Sequence, residues 1–527
     1  MRESLATKAA GPSEETACRR AALALIFAFA LARVGLAYSL GFGIDEAYTI
    51  AIARRLSLSY FDHPPLHQWL AHFTALLVGE GPSMRLPFIA LFAGTGWLMF
   101  VLTRHLFGAR AGVWAVFGLN ASAFFLVSAG GWVVPDGPLL FALAAAAIVF
   151  AKLFFDKSEE SGIWRLWLAG GFWLGVAGLS KYNAVFFAAG LVAFIALSPR
   201  HRHWFAHPAP YLAALLCLAI VSPVVIWNEQ NQWISFAFQG GRGAPGAHWR
   251  PVQAGAMILG QIAWITPWIF VPLAGSVIAA ARLARADEHR LFLLCLSLPP
   301  VMLFSLTPLW GAKGLPHWPM PGWFFAYPLL GVWLVEGWAR RLNLRIWAIG
   351  SVALLGVIVV ALVSQAATGW ITRMIPLPRG AVDPTLEALS WAPLNAAPSL
   401  SAREGEAAAF VVSTKWSDGG KIALALGPRM PVIVASDDPR GMAFLDDPAD
   451  FLGKDAVIIV PQSRLAAAVA TLRPFFAGLG DPQEIALGRL GVDEIDLALI
   501  RAHGLTRPFP LPYPPPAESG PSLKASP

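Results

Sequence analysis

The sequence predicts an α-helical polytopic membrane protein carrying a small α/β domain outside the bilayer, on three observations. Of its 527 residues 56% are hydrophobic and only 13% are charged, with a mean hydropathy of +0.58. Apolar runs of roughly 20 residues, the length that crosses a hydrocarbon core, recur through the first two thirds of the chain. Beyond about residue 370 the runs become short and β-branched, bounded by Gly, Asp and Pro.

The runs fall near 21–40, 85–103, 111–131, 138–154, 164–180, 183–198, 209–227, 254–281, 291–306, 321–338 and 345–364, which predicts about eleven transmembrane helices. The N-terminal bases Arg2, Lys8, Arg19 and Arg20 lead into the first run without an Ala-x-Ala cleavage pattern, so the first helix is expected to be retained. With that end in the cytoplasm, inner segments hold 17 Lys and Arg, including Arg104, Arg165 and Arg282, against six in outer loops. Those six are Arg54, Arg55, Lys181, Arg242, Arg250 and Lys313. The net charge of +7 is thus a matter of topology and implies no nucleic-acid partner. Cys18 precedes the first run while Cys217 and Cys295 lie inside runs, so neither a disulfide framework nor a cysteine metal site is expected.

The division expected from these patterns is a cytoplasmic N-terminus at 1–20 and a membrane domain at 21–364. An outer α/β domain follows at 365–506, then a Pro-rich disordered tail at 507–527. The first outer loop, 41–84, is long and apolar enough to form amphipathic helices on the membrane surface. In the outer domain, strands are expected at 408–412, 431–434 and 456–460, with helices at 421–426 and 464–472 between them.

Acids beside a bilayer are costly to dehydrate, which makes them candidates for chemistry. Asp45 and Glu46 follow the first run, Asp62 and His63 stand before Pro64 and Pro65, and Asp136 is flanked by Pro135 and Pro138. Lys181 joins two apolar helices with almost no loop, and Lys313 and His317 share the outer loop before the tenth run. One arrangement uses them all. A carboxylate takes a proton from a hydroxyl or amine acceptor, Lys or His stabilises a phosphate leaving group, and apolar grooves hold a lipid tail. Plainer roles stay open: Asp45 and Asp62 as helix caps, Glu46 as a solvated face, His63 as a turn residue and Lys181 as a snorkelling anchor.

In order along the chain, Asp45-Glu46, Phe61-Asp62-His63-Pro64-Pro65-Leu66, Val134-Pro135-Asp136-Gly137-Pro138, Gly178-Leu179-Ser180-Lys181-Tyr182 and Lys313 to Pro319 resemble a known family. It is that of bacterial GT-C glycosyltransferases of the protein mannosyltransferase and aminoarabinose transferase type, and the likeness spans about 20–340. The resemblance implies a GT-C fold and a polyprenyl-phosphate sugar donor. It further implies inverting transfer to an envelope acceptor (lipid A, protein or glycan) at the periplasmic face of the bacterial inner membrane. By position Asp45 resembles the catalytic base, and Asp136 the acid that arranges the acceptor or a divalent cation. Lys181, Lys313 and His317 resemble donor-phosphate positions, with Arg54 a further candidate. Glu46, Asp62 and His63 fall in the acceptor or metal region, although no compact set of metal ligands is visible. The competing class is a transporter or flippase of a lipid-linked sugar, for which ionisable groups at the bilayer midplane and inverted repeats are expected.

Overall fold

The computed structural model describes residues 11–157, 159–243, 249–312, 314–337, 343–375, 377–378, 381–397, 400, 408–510 and 512–513. After α1 (Pro12–Ser39), the first outer loop carries α2 (Ile44–Ala53) and α3 (Leu66–Val78). The membrane domain continues through α4 (Leu86–Phe107), α5 (Ala109–Asn120), α6 (Ala123–Gly131), α7 (Asp136–Phe155), α8 (Glu160–Ser180), α9 (Val185–Leu197) and α10 (Pro208–Gln230). It then runs through α11 (Ile234–Gly243), α12 (Pro251–Ile265), α13 (Pro267–Leu283), α14 (Glu288–Leu306), α15 (Met320–Phe324), α16 (Tyr327–Glu336) and α17 (Leu344–Thr368).

Helices occupy each expected run, but several are shorter or bent. Among the described residues six helices are long and apolar enough to cross a membrane, or up to eight if each of two bent pairs counts as one span. The expected run 111–131 is α5 and α6, meeting at 78°, and 254–281 is α12 and α13, meeting at 107°. The second bend turns on Thr266, whose φ is +77° just ahead of Pro267. Residues 321–338 divide into α15 and α16.

The break between α5 and α6 would leave polar groups unmatched in an apolar layer. Arg33, buried within α1, answers it: its Nη2 donates to Asn120 Oδ1 at 2.8 Å and to the Phe125 carbonyl at 3.0 Å, over the Phe92 ring. Gly130 makes room, since a Cβ there would lie 2.3 Å from Arg33 Nε. Hydropathy hides such a residue, because one charge scarcely dents a long apolar average.

The outer domain forms one five-stranded sheet of order β2-β1-β3-β5-β4. β1 (Phe410–Ser413), β2 (Val432–Val434) and β3 (Ala456–Pro461) run parallel, with Val411 opposite Val432 and Val457. β4 (Phe476–Arg489) and β5 (Val492–Leu505) form an antiparallel hairpin that joins the sheet through β3. Its turn sets Leu490 and Gly491 at φ +47° and +76°, the left-handed pair favoured in two-residue hairpins. This hairpin was absent from the sequence reading. The helices α18 (Trp370–Met374), α19 (Trp416–Leu426) and α20 (Leu465–Leu472) complete the described chain. Phe509 and Tyr513, inside the stretch read as a tail, are packed: Phe509 on Phe475, and Tyr513 stacked 4.6 Å from Phe61. Residues 514–527 lie outside the described residues.

The sheet domain sits on the first outer loop. α19 packs along α2, and Gly420 permits it, because a Cβ there would meet the Tyr48 backbone at 2.8 Å. Lys421, buried in α19, donates to the carbonyls of Phe42, Glu387 and Leu389. Burial lowers its ammonium to about 8, against a partial rescue by Glu46 and Glu387.

Candidate active site

Asp45 lies in the first turn of α2, yet Gly43 holds the cap position, and it is Glu46 that reaches back to the Gly43 amide at 3.1 Å. Asp45 therefore does not cap. The residue is exposed. Among the described residues it has no hydrogen bond and no ion pair. Burial raises its pKa and Glu46 adds to that, while Arg440, Lys181 and Arg242 act the other way.

Glu46 faces the other direction and is not a solvated face. It is 1% exposed, and Arg85 grips it through Nε to Oε1 at 2.8 Å and Nη2 to Oε2 at 2.5 Å. The Val133 amide donates to Oε1 at 3.1 Å, and Arg85 also binds the carbonyls of Ala37, Leu40 and Gly41 at the end of α1. All its acceptor capacity is directed at the frame, so Glu46 positions α2 rather than meeting an acceptor or metal.

Asp136 opens α7 and Lys181 closes α8. The two are buried together, with Nζ 2.8 and 2.9 Å from the carboxylate oxygens. Lys181 is thus an ion-paired group and no snorkelling anchor. His317 lies close enough to feel both, its ring parallel to Phe124 at 6.3 Å. Burial first, then Lys181, lowers its imidazole to about 4, so it is neutral.

Asp62 is buried beside Tyr48, whose hydroxyl donates to Oδ1 at 3.2 Å, with Arg440 Nη1 3.9 Å from Oδ2. Burial raises the Asp62 carboxyl to about 6, against the pull of Arg440 and of the Tyr48 hydrogen bond. His63 meets His67 edge-on at 5.6 Å, and burial together with His67, Lys181, Arg242 and Arg440 keeps it neutral.

Arg54 stands apart. It holds Glu80 through two hydrogen bonds, at 2.8 and 2.7 Å, and the carbonyls of Ala423 and Gly427. The side chain ties the first loop to α19, with four of its five N–H donors engaged there. Lys313 lies outside the described residues. Among the described residues no three His, Cys, Asp or Glu side chains gather as metal ligands.

Two site residues escaped the sequence reading. Arg242, at the end of α11, was counted only as an outer-loop base, and Arg440 belongs to the outer domain. Arg440 is brought in by the 437–441 turn, where the Gly441 amide donates to the Tyr48 hydroxyl at 2.8 Å. No local pattern connects it to Asp45. The nearest signal is Gly441, which leaves space that a Cβ would fill at 2.6 Å from that hydroxyl.

A bundle of bent and straight apolar helices, an outer loop bearing Asp45 and an outer α/β domain closing over it constitute the GT-C membrane fold. Residues 62–227 match the family model of dolichyl-phosphate-mannose-protein mannosyltransferases. Among solved structures, ArnT from Cupriavidus metallidurans in the apo state aligns at a TM-score of 0.61 and 16% identity, over 91% of this chain and 97% of that one. The same protein bound to undecaprenyl phosphate aligns at 0.60 and 16% identity with the same coverage. The oligosaccharyltransferase AglB from Archaeoglobus fulgidus aligns at 0.48 and 14% identity, over 87% and 72%. No curated protein sequence matches the chain. The fold expected from the motifs is the fold found.

Proposed function

We propose that this protein is an integral-membrane glycosyltransferase that moves a sugar from a polyprenyl-phosphate donor to an envelope acceptor, at the periplasmic face of the bacterial inner membrane. The observation that carries this reading is Asp45: an exposed residue whose carboxylate is free of hydrogen bonds among the described residues and within the field of three cations. A base needs a free, oriented oxygen, and a phosphate leaving group needs positive charge nearby.

In the reaction, an Asp45 oxygen takes the proton of the acceptor hydroxyl or amine. The acceptor atom bonds to the anomeric carbon from the face opposite the phosphate. The carbon–oxygen bond to phosphate breaks and its electron pair stays on the polyprenyl phosphate, so configuration inverts. Lys181, steadied by Asp136, supplies fixed positive charge, and neutral His317 offers one N–H donor. His63 and Asp62 line the acceptor side. The solved ArnT structure with undecaprenyl phosphate supports a lipid phosphate as the leaving group.

A carrier of lipid-linked sugars is the second reading, favoured by the two bent helix pairs and by Arg33 inside the membrane. Arg33, however, is occupied by the α5–α6 break. Purified protein in lipid, supplied with native polyprenyl-phosphate sugars and envelope extract, separates the two readings by mass spectrometry. Loss of sugar from the donor and gain on an acceptor, in the wild type but not in Asp45→Asn, supports transfer. Movement of intact donor across the bilayer without consumption makes it a carrier.

A further inference from the structure

We propose that the tip of the β4–β5 hairpin and the short helix α18 form one apolar surface that lies in the headgroup layer of the bilayer. The sheet domain is then moored to lipid at a point separate from its contact with the first outer loop. The partner is a lipid surface, and the proposal does not depend on the glycosyltransferase reading.

The height of this surface is set by α17, a candidate span that is largely uncovered by protein. The base of the hairpin is tied to the last turn of that helix. Arg489 Nη1 donates to the Gln365 carbonyl at 2.7 Å, and Arg373 Nη2 of α18 donates to the Arg489 carbonyl at 3.3 Å. Gly369, between α17 and α18, permits the approach, since a Cβ there would lie 2.7 Å from Glu494 Oε1. The Arg489 side chain is 2% exposed and pairs with Asp383 and Glu494, each at 2.9 Å. The hairpin base therefore meets the edge of the bilayer without stranding a charge there. Trp370 opens α18 and donates from Nε1 to Ser364 Oγ of α17 at 3.0 Å, which sets an indole at the level where aromatic belts form.

The apolar side chains at this height are uncovered. Leu490 at the hairpin tip is 75% exposed, Met374 is 74% and Ile375 is 69%, and Trp370 and Val492 are exposed with them. Leu490 carries a second cost. It holds φ at +47° in a two-residue turn where Asn or Gly is the usual occupant, because a bulky side chain is strained in the left-handed region. In water the strain and the exposed leucine both cost stability, whereas lipid takes up the side chain and offsets the strain. Asp493 directly follows Val492 and is exposed, which keeps the tip in the headgroup layer and out of the hydrocarbon. Since α18 follows α17 after a single residue, the lipid that covers α17 is the occupant continuous with this patch.

The test uses full-length protein in nanodiscs of phosphatidylethanolamine and phosphatidylglycerol, with Cys18, Cys217 and Cys295 changed to alanine and one new cysteine carrying the fluorophore NBD. Labels at Leu490→Cys and Met374→Cys are expected to emit in the blue and to be quenched at least two-fold by lipid bearing a doxyl group near its headgroup. A label at Lys454→Cys, exposed beside the far end of β5 where its carbonyl accepts from the Leu505 amide, should emit as in water and ignore the doxyl lipid. With the label at Val492→Cys, adding Leu490→Asn suits the turn but removes the apolar contact, and doxyl quenching should fall at least two-fold. Unmodified protein supplies a reading that needs no variant. Lipid with a diazirine near its headgroup should crosslink to residues 370–375 and 488–493 and not to 452–455. Water-like emission at Leu490 and Met374 overturns the proposal, as does blue emission without doxyl quenching, which would mean that protein covers the patch. Unchanged quenching at Val492 in the Leu490→Asn chain, or absence of the crosslinks in the unmodified protein, overturns it equally.

Discussion

At Asp45, burial and the Glu46 charge raise the carboxyl pKa, Arg440, Lys181 and Arg242 oppose them, and the net direction is upward. Activity should therefore fall as pH drops through a value above the ordinary carboxylate range, because a protonated carboxyl accepts no proton. A pH profile of kcat/KM with its acid limb in the ordinary range of about 4 would contradict this assignment. For stability the sign is opposite. A group whose folded pKa is raised lends stability that is present below its unfolded pKa and lost as pH rises through the folded one. Ionised Asp45 thus burdens the fold at neutral pH. Asp45→Asn should lower transfer by about 10²–10⁴-fold while leaving the melting temperature unchanged or higher. Glu46→Gln should do the converse. It leaves the Arg85 guanidinium, 2% exposed, short of its carboxylate, at a cost of about 3–5 kcal/mol in a thermal unfolding assay. The sequence distinguishes these neighbours only as a pair of acids. Their separation depends on Arg85, which closes the α1 end in three dimensions and carries no local mark.

The elements of the membrane domain were legible as apolar runs because hydropathy averages over a helix, and α1, α4, α7, α10, α14 and α17 needed nothing more. Bends were not legible. They depend on single residues such as Thr266 and on the polar groups that compensate a break, as Arg33 does between α5 and α6. Gly130→Ala tests that compensation. The added methyl would lie 2.2 Å from the Phe125 carbonyl oxygen, so the break must shift, and we expect a loss of about 1–3 kcal/mol in detergent stability. An unchanged melting temperature would show that the break tolerates displacement. In the outer domain β1, β2 and β3 showed as β-branched runs, whereas β4 is largely exposed and reads as a mixed, Gly- and Pro-containing stretch. Its pairing with β5 is what makes it a strand.

For the whole molecule the deciding contact is between α19 and α2, where the outer domain rests on the loop that bears Asp45. Gly420→Ala would push a methyl against the Tyr48 backbone at 2.8 Å, which cannot yield as a side chain tip would. The expected result is faster release of the outer domain in limited proteolysis, with transfer reduced at least ten-fold while the membrane helices keep their far-ultraviolet signal. Intact protease resistance with full activity would show that the two parts work independently. The sequence motifs singled out Asp45, Asp136 and Lys181, and the structure pairs Lys181 with Asp136 while Lys181 acts electrostatically on Asp45. Arg440 was beyond them, because it is far from the first loop in sequence and is brought beside Asp62 only by a turn fixed by Tyr48 and Tyr513.

That distance has a consequence for biogenesis. The ribosome makes the loop of Asp45 before the turn of Arg440, with helices α4 to α17 made between the two. On the glycosyltransferase reading, the loop of Asp45 stays uncovered until the strands around the Arg440 turn have folded, so transfer would begin only once the sheet domain is complete.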